Sequence, residues 1–138
     1  MTRLFVAFVL LLTASQGLAM ESLSDFGWKN RVVLVFGEPA DRKLIQQIDI
    51  LTDRQDALAE RDMVVIRIAG DEAQAIFGAA AGLDAERLRR DANITDGSFQ
   101  VVLVGKDGGV KLRSGEAVGD VAIFDLIDRM PMRRAEQR

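Results

Sequence analysis

Four groups of residues in this chain are of types that do chemistry when correctly spaced. The first is Gly105-Lys106-Asp107-Gly108-Gly109, set between two apolar runs. Glycine-rich loops with a lysine can hold phosphate, but such a loop reads GxxxxGK[ST], follows a strand and opens a helix. Here Asp107 follows the lysine, and a second strand-like run follows the loop. The spacing predicts a hairpin turn with Asp107-Gly108 at its tip, because both residues tolerate positive φ. The second group is Lys111 and Arg113. In a strand they alternate with Val110 and Leu112 and point the opposite way. That pattern is either a charged guard on an edge strand or a basic face for a carboxylate, a phosphate or an acidic partner, with Arg113 suited to bidentate contact.

The third group is the C-terminal MPMRRAEQR, with Arg133, Arg134 and Arg138. These cations either complement the dipole of a preceding helix or extend a basic surface. The fourth is Trp28 with Lys29 and Arg31. It reads either as core packing with flanking charges or as a binding aromatic. Carboxylates are plentiful, and Glu38, Asp71, Glu72 and Asp84 fall near predicted element ends. No spacing pairs any two as acid and base, and Ser98 and Ser114 lack a base partner.

Absences narrow the chemistry further. The chain has no Cys, no His and no Tyr. Disulfides, thiol redox cycles and Cys nucleophiles are excluded. There is no imidazole to bind metal or act as a base near neutral pH. No EF-hand spacing or Cys/His cluster suggests a metal, and no motif calls for a cofactor.

The elements that must position these groups can be traced in order. Residues 31–36, RVVLVF, form a continuous apolar run bounded by Gly37 and Pro39, as in a strand buried on both faces. Residues 40–60 place Leu44, Ile48, Leu51 and Leu58 at helical spacing, with Ile45 widening the stripe. Residues 63–70, MVVIRIAG, predict a second buried strand, parallel to the first across a right-handed crossover. Residues 71–82 are the least legible and read as the start of a short helix. Asp84 caps another short helix, with Leu83 and Leu88 as a hydrophobic staple. Residues 99–104 and 110–113 form the hairpin. Ile123, Phe124, Ile127 and Met130 mark a last helix, ended by Pro131. The order is βαβ, short helix, ββα.

The first 19 residues have another pattern. Arg3 precedes nine apolar residues, Leu4–Leu12, and Gly17 and Ala19 supply small residues at a cleavage site. This predicts a secretory signal peptide over 1–19. The run is about half the roughly 20 residues a span requires, and nothing later is long enough. The chain is expected to be secreted, and periplasmic in a Gram-negative host. Residues 20–138 make one domain, with 130–138 a basic tail. Removing Arg3 takes the net charge from −3 to −4, a poor match for nucleic acid.

Three stretches, LSDFGWKNRVVLVF (23–36), VVLVGKDGGVKLR (101–113) and IFDLIDRMPMRR (123–134), together resemble the domain-of-unknown-function 4174 family, which is thioredoxin-like and found in secreted proteins. The resemblance implies an α/β fold, a βαβ–ββα sandwich with a mixed central sheet flanked by helices. It carries over Trp28, Lys29, Asn30 and Arg31, then Lys106, Asp107, Gly108, Lys111 and Arg113, then Arg133 and Arg134. In redox-active thioredoxin-like proteins a Cys pair follows the first strand, and many have a cis-Pro before the third. Here those places read Gly37-Glu38-Pro39-Ala40 and Asp96-Gly97-Ser98. The expectation is a non-catalytic binding module. Its binding residues are Trp28, Lys29, Arg31, Lys106, Asp107, Lys111, Arg113, Arg133 and Arg134. Its partner is a protein of the cell envelope or an anionic ligand. The alternative is a small-molecule site or enzyme in the cleft after the first strand, around Glu38.

Overall fold

The structure, a computed structural model, describes residues 20–138. The expected signal peptide lies outside the described residues. A short 3-10 helix, Glu21–Phe26, leads into β1, Arg31–Gly37. Two helices follow, α1 (Arg42–Thr52) and α2 (Gln55–Glu60), then β2 (Met63–Ala69) and β3 (Glu72–Phe77). Next come α3 (Ala85–Asp91), β4 (Gln100–Val104), β5 (Val110–Ser114), α4 (Asp120–Asp128) and α5 (Pro131–Glu136).

The sheet order is β3-β2-β1-β4-β5. β1 and β2 are parallel, and the other neighbours pair antiparallel. This is an α/β fold with a mixed sheet and thioredoxin-like topology, as expected. The apolar runs of β1, β2 and β4 are buried because helices cover both faces. On one face, Val32, Leu34, Phe36, Val64 and Ile66 pack against Met20, Leu23 and α3 residues Ala85 and Leu88. On the other, Val33, Val35, Val65 and Leu103 meet Leu44, Leu51, Leu58, Ile123 and Ile127 from α1, α2 and α4. Burying a Leu or Ile side chain contributes about 1.5–3 kcal/mol, so these two clusters dominate folding. Gln47, fully buried on α1, ties that helix to the segment before α4: its Nε2 donates to the Val118 carbonyl at 2.9 Å, and its Oε1 accepts from Val118 N–H at 2.6 Å.

Three expectations are corrected. Residues 72–77 are a strand, β3, and not the start of a helix. The long helix over 40–60 breaks at Asp53-Arg54 into α1 and α2. The basic tail is a helix: Pro131 does not end α4 but takes the first turn of α5, where its missing N–H costs nothing. The cap on α3 is as expected, with Asp84 Oδ1 accepting from Arg87 N–H at 3.1 Å.

Candidate functional site

β1 begins with Arg31, and its guanidinium lies at the end of the sheet where β2 starts and β4 finishes. The side chain is only 2% exposed. It donates to both carboxylate oxygens of Glu136 at 3.2 Å and to the Arg61 carbonyl at 3.0 Å. Lys106, 8% exposed, reaches the same carboxylate at 2.6 Å and Asp62 at 2.8 Å. Arg133, 4% exposed, donates to Glu60 at 3.0 Å, to Asp128 at 3.3 Å and to Glu136 at 3.5 Å. Arg61 completes the set with two bonds to Asp128, at 3.0 and 2.8 Å, and stacks on the Phe124 ring at 4.6 Å. Four cations thus meet four carboxylates at one end of the sheet, and their formal charges cancel.

The electrostatics follow from this closure. Partial burial pushes the Glu136 carboxyl up, but hydrogen bonds from Lys106 and Arg31, and their charges, outweigh it and hold the pKa at about 2. The Arg61 hydrogen bond, with help from Arg133, likewise keeps Asp128 below the usual carboxylate range against the opposing effect of its partial burial. For Arg133, burial pushes down, while Asp128, Glu136 and Glu60 raise the pKa above its ordinary value. Arg31, Lys106 and Arg133 therefore come together as the interior of an ion network and not as an open basic face.

Lys111 and Arg113 are both exposed on β5, but each is tied to a partner of its own. The β4–β5 register skips Lys111: Val104 pairs with Val110, and Leu103 with Leu112. This β-bulge turns Val110 and Leu112 to opposite sides, so Val110 packs with the α3 layer and Leu112 with the α1–α4 layer. Lys111 bends back to Asp107 at 2.8 Å, and Arg113 donates to the Ala92 carbonyl at 2.5 Å. That Lys111 bond holds the Asp107 carboxyl below its ordinary value, against the opposing effect of partial burial. The glycine-rich stretch is the expected turn, with Gly108 at φ +81° and Asp107 Oδ1 accepting from Gly109 N–H at 2.9 Å.

Above the network the chain presents Trp28. Its side chain is 71% exposed, so it is not core packing. Its backbone has φ +63°, an outlier for a bulky residue. The turn is over-determined. Trp28 N–H donates to the Lys106 carbonyl at 2.7 Å, Lys29 and Asn30 N–H both donate to the Phe26 carbonyl, and Asn30 Nδ2 donates to the Asp62 carbonyl at 3.1 Å. Lys29 is exposed beside it. A cleft of about 230 Å³ runs past Trp28, walled by Met20, Leu23 and Phe26 and rimmed by Lys106 and Gly108. Arg134 is exposed on α5.

At the opposite end of the sheet, the loops after β1 and β2 and before β4 border a crevice of about 680 Å³. It holds Glu38, Asp71, Glu86, Asp96, Arg89 and Arg90. Among the described residues, none of these six makes an ion pair. Arg89 donates to the Gly70 carbonyl, and Ser98 N–H and Oγ both donate to Asp96. The Glu38 carboxylate lies over Gly97, where a Cβ would sit 1.9 Å from Oε1. No cluster of three or more Asp or Glu able to hold a metal occurs among the described residues.

The sequence matches the model of the family described as Domain of unknown function (DUF4174) over residues 22–136. The chain belongs to this family. Among curated proteins, it is 33% identical over 133 residues to Coiled-coil domain-containing protein 80 of Danio rerio, covering 83% of this chain and 15% of that protein. It is 32% identical over 121 residues to Sushi repeat-containing protein SRPX of Homo sapiens, covering 83% of this chain and 26% of that protein. The chain thus spans about a quarter or less of the length of these relatives. No solved structure matches it significantly. In this DUF4174 domain the absence of Cys rules out thiol redox chemistry. No helix among the described residues is long and apolar enough to cross a membrane.

Proposed function

We propose that this DUF4174 chain is an exported, non-catalytic protein-interaction module that docks an envelope partner on the Trp28 turn. One observation carries the reading: a 71% exposed tryptophan held at positive φ. A left-handed backbone costs a bulky residue about 1–2 kcal/mol, and an exposed indole returns nothing to the core. Strain of this kind persists where the surroundings over-determine it, and it concentrates at binding sites. Tryptophan is also enriched among residues that dominate interface energy. Lys29 supplies a cation on the same rim. The ion network beneath acts as a rigid base, so the turn is pre-organised and loses little entropy on docking.

The test is an in-cell crosslink and affinity capture from the envelope fraction, comparing wild type with Trp28→Ala and with Lys111→Glu, Arg113→Glu. The expected result is a specific partner that is lost only in Trp28→Ala. Retention of that partner by Trp28→Ala overturns the reading.

A second reading is favoured by the crevice around Glu38, where six charges at the carboxyl ends of two parallel strands make no ion pair among the described residues. That is a usual ligand position in open α/β sheets. It expects a metabolite that raises the melting temperature of wild type but not of Glu38→Ala. An equal rise in both proteins removes Glu38 from the site.

A further inference from the structure

The two edges of the sheet differ in kind. β5 carries Lys111 and Arg113 and a bulge, the usual devices that keep an edge from pairing. β3 carries one charge, Glu72 at its start; from Ala73 to Gly82 (AQAIFGAAAG) the chain is uncharged and contains no Pro. Its bulge at Ile76 lies near the far end, leaving Glu72–Ala75 in regular pairing with Ala69–Ile66. Alternate residues of an edge strand direct N–H and C=O groups outward with no partner. A groove of about 440 Å³ runs beside the strand, lined by Ala73, Ala75, Ala79 and Ala80, and its small side chains leave room for another backbone.

We infer that β3 pairs with β3 of a second copy of this chain, antiparallel about a two-fold axis at Gln74, joining two five-stranded sheets into one. This interface is separate from the Trp28 turn and does not rest on the reading given for it. A two-fold operator makes an isologous contact, so the strand must be complementary to itself. Centred on Gln74, the pairing sets Gln74 against Gln74, Ala73 against Ala75 and Glu72 against Ile76. No like charges oppose one another, and the two amides at the axis can hydrogen-bond each other. The pairing also brings Glu72 of the second copy onto the sheet face that carries Arg67, the register partner of Gln74 on β2. Arg67 makes no ion pair among the described residues, so the second copy offers it a carboxylate. The same pairing on β5 opposes lysine and arginine side chains around the axis, which disfavours it.

The experiment uses purified protein and measures mass by light scattering after size exclusion, over a dilution series. The expected result is twice the chain mass for wild type. Gln74→Lys, which sets two ammonium groups on the axis, is expected to weaken the dimer at least about tenfold. Far-UV circular dichroism checks that Gln74→Lys keeps its fold, since Gln74 is exposed. A second measurement exploits the absence of native Cys: Gln74→Cys is expected to form a disulfide-linked dimer on oxidation, and Lys111→Cys on the other edge is not. Paired strands hold opposed Cα atoms about 4.5–5.5 Å apart, within disulfide range. A single-chain mass at all concentrations overturns the inference. So does a dimer indifferent to Gln74→Lys, or equal crosslinking from Lys111→Cys.

Discussion

The two ends of the sheet carry similar numbers of charged groups and use them in opposite ways. At the start of β1, Arg31, Arg61, Lys106 and Arg133 are matched one for one by Glu60, Asp62, Asp128 and Glu136, and three of the cations are almost fully buried. At the finish of β1, Glu38, Asp71, Glu86, Asp96, Arg89 and Arg90 surround open space and make no ion pair among the described residues. A buried charge is tolerated only when paired and hydrogen-bonded, so the first end is committed to holding α5, β1 and the β4–β5 turn together. An exposed charge carries no such obligation, and the second end is free to vary or to bind. The difference teaches that a cluster of basic residues in sequence is not a basic surface: its carboxylates decide, and they come from elsewhere in the chain.

The sharpest way to break the contrast is Glu136→Gln. It leaves Arg31 and Lys106 charged and short of a partner, and the expected loss is about 3 kcal/mol in urea unfolding at neutral pH. Acid should do the same to wild type by titration. The Glu136 pKa is held at about 2 against an ordinary 4.5. Its contribution is therefore complete above pH 4.5, fades as pH falls, and is gone below pH 2, an integrated effect of at most ~3 kcal/mol. Urea midpoints between pH 6 and 2 should fall more steeply in wild type than in Glu136→Gln; parallel curves would contradict the assignment. A smaller change, of opposite sign, is expected at the turn above the network. Trp28→Gly removes the left-handed strain but gains unfolded-state freedom, for a net stabilisation of ~0.5 kcal/mol. A clear loss would mean that the indole packs against the domain. The smallest effects belong to the other end, where Glu38→Gln and Asp71→Asn should each shift stability by no more than ~0.5 kcal/mol.

What sequence made legible follows the same physics. β1, β2 and β4 announce themselves because strands buried on both faces are unbroken apolar runs, α1 and α4 because their apolar residues fall at helical spacing, and α3 through its Asp84 cap and the Leu83–Leu88 staple. β3 was hidden: Glu72-Ala73-Gln74-Ala75 alternates polar with apolar but is built from residues depleted in strands, and the strand exists because the edge of β2 was open. α5 was hidden behind Pro131, which stops a helix from within but starts one at its first turn. The bulge at Lys111 left no local mark, since one inserted residue inverts a side-chain alternation that the letters still display. Of the site, the cations were visible and their fate was not. Glu136 stands 105 residues from Arg31, and Asp62 stands 44 from Lys106, so no spacing rule connects them. The one available hint was Arg31 itself, a charge flush against an apolar strand.

Trp28 has a further consequence, a photophysical one. It is the only tryptophan in the chain, and there is no tyrosine. Near-ultraviolet absorption and emission therefore come almost wholly from a single indole, already 71% in water in the folded state. Unfolding barely changes its surroundings, so its emission should scarcely shift when the domain melts. A partner that covers the ring should move the emission to the blue and shield it from soluble quenchers. The molecule thus carries an intrinsic optical gauge that is nearly blind to folding and responsive to contact at one turn.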